Sequence, residues 1–141
     1  MKLKVFLMSL FFGVIAYAGP HSSECIKSMV DMLKQGKYDA AFEAVLDNSP
    51  FIKSNVNTDN LKMQFTSFFK NIETQYGKPF GFEILGTKTV GTLERTGFLI
   101  HCEKNAWVME VFEYNNTNAK KQYVTDFRIL KEEDAFTRYG L

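Results

Sequence analysis

A chain of 141 residues with formal charge +1, two cysteines and two histidines fits one compact domain and carries no excess charge to attract phosphate backbones. No basic stripe runs through it, and Lys120-Lys121 and Lys131 read as solvated charges, which argues against a nucleic-acid partner. No internal repeat or low-complexity tract divides the chain.

Residues 1–18 read as an export signal. Lys2 and Lys4 form a basic start, Val5 to Ala16 is mostly apolar, and Ala16-Tyr17-Ala18 is a small-x-small cleavage pattern. The apolar run is shorter than the roughly 20 residues of a membrane span, and no Asp or Glu occurs before Glu24. Cleavage after Ala18 starts the mature domain, 19–141, at Gly19 with formal charge −1 and no membrane segment. The expected location is the periplasm or the extracellular space.

Three helices are expected next. Ser22 or Ser23 caps the first, with Glu24 in its first turn, an apolar stripe of Ile26, Met29, Val30 and Leu33, and a stop at Gly36. Asp39 caps the second, whose Ala41, Phe42, Val45 and Leu46 face inward before Asn48-Ser49-Pro50 ends it. Thr58-Asp59 caps the third, with a stripe of Leu61, Phe65, Phe68, Phe69, Ile72 and Tyr76. Gly77 ends that helix and Pro79 prevents its resumption. Such a phenylalanine stripe reads as core rather than as a cofactor site.

From Gly77 onward the apolar period changes to two. Phe80–Val90, Leu93–Glu103, Ala106–Tyr114 and Gln122–Leu130 alternate as strands, broken at Gly91-Thr92, Lys104-Asn105 and the polar stretch 115–121. A turn at Lys104-Asn105 pairs Cys102 with Trp107, Ile100 with Met109 and Phe98 with Val111, so the apolar partners share one face. Phe80, Phe82 and Ile84 join that face, as do Tyr123, Thr125, Phe127 and Ile129. The opposite face carries Leu99, His101, Val108, Glu110, Phe112, Tyr114, Val124, Asp126 and Arg128. Three helices followed by a four-stranded antiparallel meander make an α+β domain with its helices on one sheet face.

Lys34-Gln35-Gly36-Lys37-Tyr38-Asp39-Ala40-Ala41-Phe42 resembles the opening of the nuclear transport factor 2-like superfamily. Tyr76-Gly77-Lys78-Pro79-Phe80-Gly81-Phe82-Glu83 and the Trp107–Tyr114 strand resemble its small secreted bacterial members. The resemblance implies a cystatin-like cone with three N-terminal helices on a curved four-stranded sheet, and a pocket between helices and concave face. The superfamily hosts isomerases, dehydratases, binding modules and transport adaptors, so it implies no single activity.

Phe68, Tyr76, Trp107, Met109, Glu113 and Tyr123 are the candidates for lining that pocket. A proton-transfer enzyme there needs an Asp, Glu or His base, yet Glu113 is the only acid of matching phase, near the mouth. No catalytic residue, cofactor or metal site is therefore assigned. His101 can serve as a ligand-binding or pH-sensitive group, or as a partly exposed strand residue with local hydrogen bonds. His21 would be third in the mature chain, but Pro20 lacks an amide that a terminal copper claw requires. Asn115-Asn116-Thr117 matches a glycosylation triplet and reads as a turn.

The expected function is an exported non-catalytic domain that binds a small apolar ligand or a protein through the cone pocket or the outer sheet face. The alternative is a pocket enzyme of the isomerase or dehydratase type. Leu99, Val108, Phe112, Tyr114 and Val124 on the outer face point to a homodimer interface, with the chain's own segment 136–141 as the competing cover. Cys25 and Cys102, the only cysteines of a chain bound for an oxidising compartment, are expected to pair; the alternative is two free thiols.

Overall fold

A computed structural model describes residues 21–46, 54 and 57–140. The export signal, Gly19 and the Asn48-Ser49-Pro50 stop lie outside the described residues. Helices α1 (His21–Lys34), α2 (Tyr38–Leu46) and α3 (Thr58–Tyr76) precede strands β1 (Pro79–Val90), β2 (Leu93–Cys102), β3 (Ala106–Asn116) and β4 (Lys121–Leu130). Helix α4 (Glu132–Tyr139) follows. The strands form one antiparallel sheet in the order β1-β2-β3-β4. The fold is α+β, as the change of apolar period predicts, with a fourth helix that the period reading does not contain.

The apolar stripes fold inward. Ile26, Met29, Val30 and Leu33 of α1 and Ala41, Phe42, Val45 and Leu46 of α2 are buried against the sheet's inner face. All three caps differ from expectation, for Ser22 and Ser23 already lie inside α1. Helix α2 begins at Tyr38, which puts Asp39 inside its first turn. Helix α3 is capped by Asn57, whose side chain accepts the Asn60 amide at 3.2 Å, one residue before Thr58. Gly77 closes α3 at φ 82°, a conformation L side chains avoid, and a Cβ there would lie 2.8 Å from the Cβ of Glu103.

That contact decides the middle hairpin. The Glu103 amide donates to Lys78 O and the Lys104 amide to Tyr76 O, so both residues are held by the α3–β1 junction. The turn widens to Cys102–Asn105, closed by the Cys102 amide on Asn105 O at 2.9 Å. The observed pairs are Ile100 with Trp107 and Phe98 with Met109, two residues away from the expected register. An even shift leaves every side chain on its expected face.

Three bulges change faces. Between Pro79↔Cys102 and Gly81↔His101, Phe80 is the extra residue; it leaves the inner face, is 60% exposed and stacks on the His101 ring at 6.1 Å. Leu85 is extra between Ile84↔Phe98 and Gly86↔Gly97. Thr125 is extra between Phe112↔Asp126 and Glu113↔Val124, and its hydroxyl donates to Phe112 O at 3.2 Å. Upstream of Thr125 the alternation is therefore inverted. Val124, expected outside, is in the core at 2% exposure, and Tyr123, expected inside, pairs with Tyr114 on the outer side.

Helix α4 lies on that outer face. Glu132, Glu133 and Asp134 occupy its first turn and Arg138 its last, the sense the helix dipole favours, and Gly140 caps it in the left-handed conformation. Tyr139 rests on Gly97 so closely that a Cβ there would fall 2.3 Å from the ring. Its hydroxyl donates to Glu110 Oε1 at 2.7 Å and Arg138 Nη1 donates to Oε2 at 2.6 Å, while Arg95 Nε lies 3.6 Å from Oε1. Burial opposes the charge on Glu110, which is fully buried, but these bonds and the Arg138 and Arg95 charges prevail and lower its pKa. Gly97→Ala is expected to cost about 2 kcal/mol in denaturant unfolding, by overpacking Tyr139. The same change in a Tyr139→Ala background should cost far less; equal costs would mean that the ring does not rest there.

Candidate functional site

The centre of the inner face is filled by side chains. Phe98, Ile100, Met109 and Val111 have no exposure, and the rings of Phe65, Phe69 and Trp107 pack over them, Phe69 lying 5.6 Å from Trp107. A pit of about 10 Å³ remains between Leu33, Phe69, Pro79 and Trp107, room for about one water. Tyr38 and Glu73 hydrogen-bond at its rim. That bond first, then burial and the Glu73 charge, pushes Tyr38 up to about 12.

The pocket candidates separate accordingly. Met109 is core, and Phe68 is 39% exposed on α3 with its ring edge-on to Phe69 at 5.2 Å. Tyr123 is on the outer side. Trp107 and Tyr76 line an outer groove described below. Glu113 alone keeps both the expected phase and a chemical environment of its own.

Glu113 pairs across β2–β3 with Glu94 and is 1% exposed. Neither of its oxygens has a hydrogen-bond partner, nor does the buried Glu94 Oε1. Burial first, then the Glu94 charge, pushes Glu113 up to about 7. The Ser22 hydroxyl and amide at the start of α1 pull it the other way, although the hydroxyl is itself buried and forms no bond. Cys25, one turn along α1, is pushed up to about 11 by burial, then by the Glu113 and Glu24 charges. His21 Nε2 lies 3.7 Å from its sulfur. A thiol with that pKa is protonated at neutral pH, so His21–Cys25 is not an activated nucleophile.

Cys25 and Cys102 are both free thiols. Helix α1 starts at the Glu113 end of the sheet and brings Leu33 beside Trp107 and Pro79 at the other. Cys102 lies at that far end, opposite Pro79; the span of β2 from Glu94 to Cys102 is roughly 26 Å at strand rise. A disulfide needs Cα atoms within about 7 Å. Inward phase put both thiols on one side of the sheet but was silent about which end.

On the outer face, His101 pairs with Glu83 at 2.8 Å under the Phe80 ring, a local strand arrangement. The five interface candidates do not form one patch. Phe112 lies half-buried under the Arg128 guanidinium at 4.9 Å, Tyr114 is 38% exposed at the sheet end, and Val124 is core. Leu99 and Val108 instead floor a groove of about 390 Å³ between the sheet and α4. Ala106, Leu130, Ala135 and Phe136 extend its apolar lining, and Tyr76, Asn105, Lys131 and Glu132 supply polar groups. Sequence reading named Leu99 and Val108 and gave segment 136–141 as the competing cover, and Phe136, Arg138 and Tyr139 do lie on this face; it did not contain the helix from Glu132 that carries them. The acidic run 132–134, Arg138 and Gly140 were the available signal.

A scan against protein-family models, a search of curated proteins and a search of solved structures found no match to this chain.

Proposed function

We propose that this chain is an exported, non-catalytic domain that holds a small apolar ligand in the groove between α4 and the outer sheet face. The groove itself carries the reading. Its volume of about 390 Å³ falls in the range of small-molecule sites, roughly 300–1,000 Å³, and its apolar lining with a few polar groups has the usual chemistry of such sites. Phe136, 55% exposed, is a large apolar side chain left open at its edge. The export pattern in residues 1–18 and the resemblance to small secreted members of the nuclear transport factor 2-like superfamily support the location and class.

One observation favours the isomerase or dehydratase reading instead: a Glu113 carboxyl near neutrality would suit a general base. Its 1% exposure, and the apolar filling of the face beside it, weigh against access by substrate.

The test is uptake of N-phenyl-1-naphthylamine followed by fluorescence. The expected result is saturable, blue-shifted emission. Ala106→Trp, which fills the groove, should abolish uptake, and Phe136→Ala should weaken it about tenfold through lost apolar contact. Emission that does not saturate, or that survives Ala106→Trp in a folded protein, would sink the proposal.

A further inference from the structure

The two ends of the outer groove differ in chemistry. Along the outer face of β3, Ala106 lies at one end, Val108 under the middle and Glu110 beyond the other end. At the Glu110 end the polar groups satisfy one another. Arg138 Nη1 and the Tyr139 hydroxyl donate to the Glu110 carboxylate at 2.6 and 2.7 Å, and Arg95 Nε lies 3.6 Å from it. The Tyr139 ring lies over Gly97 and within 3.8 Å of where a Cβ on Gly86 would stand. That end is closed.

The Ala106 end is lined by polar groups with donors to offer. Lys131 directly follows Leu130, the strand partner of Val108, and the Lys104 amide donates to Tyr76 O, which brings the end of α3 to the β2–β3 turn. Lys131 forms no ion pair among the described residues. Asn105 Oδ1 already accepts the Ala106 amide at 2.8 Å, which leaves the side-chain NH2 as its donor. The Tyr76 hydroxyl supplies another donor at this end. Against them stands one acid in the lining, Glu132. Glu83 on β1 and Glu103 in the turn are engaged elsewhere, by His101 and by the Lys78 amide.

Three donors, one of them cationic, at the open end of an apolar trough match an anionic head group on an alkyl tail. We propose that the ligand of this groove is a medium-chain alkyl carboxylate, bound with its head on Lys131, Asn105 and Tyr76 and its tail between Leu99, Val108 and Phe136. The inference rests on the groove reading above and adds the ligand's class and direction. From Ala106 to Glu110 the strand runs about 13 Å, and the closed end sets the limit on tail length. Lys131 and Asn105 are exposed, so the carboxylate keeps water on one side and avoids the cost of full burial. An alkyl alcohol could use Asn105 and Tyr76 but would gain nothing from the Lys131 charge. An alkyl ammonium would be repelled by Lys131 as it approached Glu132.

Trp107 is the chain's only tryptophan and lines the groove, so its emission reports occupancy without a dye. Decanoate, decanol and decylamine are titrated separately against it at neutral pH, below their micellar concentrations. Decanoate is expected to bind about tenfold more tightly than either of the others, the worth of one hydrogen bond to a charged group. Lys131→Met should remove that advantage while decanol still binds, which reports an intact trough; Lys131 makes no side-chain cap bond to α4 that the change would break. Glu132→Gln should act in the opposite direction, tightening decanoate about twofold by removing a like charge. Equal affinity for the three in the unmodified protein, or a decanoate advantage that survives Lys131→Met, would overturn the head-group assignment and leave the groove reading standing. No response to any of the three, together with no dye uptake, would overturn the groove reading and this inference with it.

Discussion

Phe98→Ala is expected to destabilise the protein by about 3–5 kcal/mol, the range for removing a fully buried ring from a core that cannot collapse around the gap. Phe98 has no exposure and sits on the inner face between Ile84 and Met109, its strand partners, with the Phe82 ring edge-on at 5.8 Å. Sheet positions relax less than loop positions because the strands on either side hold the backbone. For a domain of this size the loss corresponds to roughly 10–20 °C in melting temperature. Phe68→Ala is the internal control: at 39% exposure it should cost no more than about 1.5 kcal/mol. Urea unfolding of both variants decides the matter. A Phe98 cost near that of Phe68 would mean that the inner face is not the core.

The second large effect is a pH slope set by Glu113. Its carboxyl has an ordinary value of 4.5 and is pushed up to about 7 in the folded state by burial and then by Glu94. Below 4.5 both folded and unfolded chains hold the proton, and the group contributes nothing. Between 4.5 and about 7 the unfolded chain has released its proton while the folded chain retains it, so unfolding is favoured increasingly as pH rises. Above about 7 the penalty is constant, on the order of 3 kcal/mol. Stability should therefore fall across that window, the opposite of the acid denaturation typical of paired carboxylates. Glu113→Gln should flatten the slope without changing stability much at pH 4. Urea melts of the two chains at pH 4, 6 and 8 would expose the error if their curves ran parallel.

The helical half was largely legible, because an apolar stripe at helical spacing has one way to face a core. Ile26, Met29, Val30 and Leu33 are all buried as that spacing requires. The strands were legible in position but only partly in phase. Alternation assumes an uninterrupted ladder, and the extra residues Phe80, Leu85 and Thr125 are set by pairing to neighbours that a single strand does not display. The middle hairpin departed for a similar reason, since the backbone of Glu103 and Lys104 is claimed by Lys78 and Tyr76 from a distant connection. Helix α4 has only Ala135 buried, too little for a stripe, and its charged turns were easy to read as tail. Of the site, Leu99 and Val108 were named on the outer face where they lie, as a dimer interface, and Trp107 and Tyr76 were named for the inner pocket instead of the groove they line. The opposition of Glu94 to Glu113 needed the register before it could be seen.

The extra residue at Thr125 also bears on how this strand can change over time. A substitution edits one position, but an extra residue bulged out of a ladder inverts the odd–even alternation of the sequence on one side of it while the pairing faces stay as they are. Thr125 already contains such an inversion, so Lys121–Val124 and Asp126–Leu130 are written in opposite frames and joined in one strand. Deleting Thr125 alone would remove the bulge and leave Val124 opposite Glu113 in the core and Tyr123 opposite Tyr114 outside. A homologous strand lacking that residue would keep the same core with the same four residues at its start, and would read as one uninterrupted alternation. Two such sequences could share a fold and agree on both sides of the gap, while only the one without the extra residue shows its strand as a single apolar alternation.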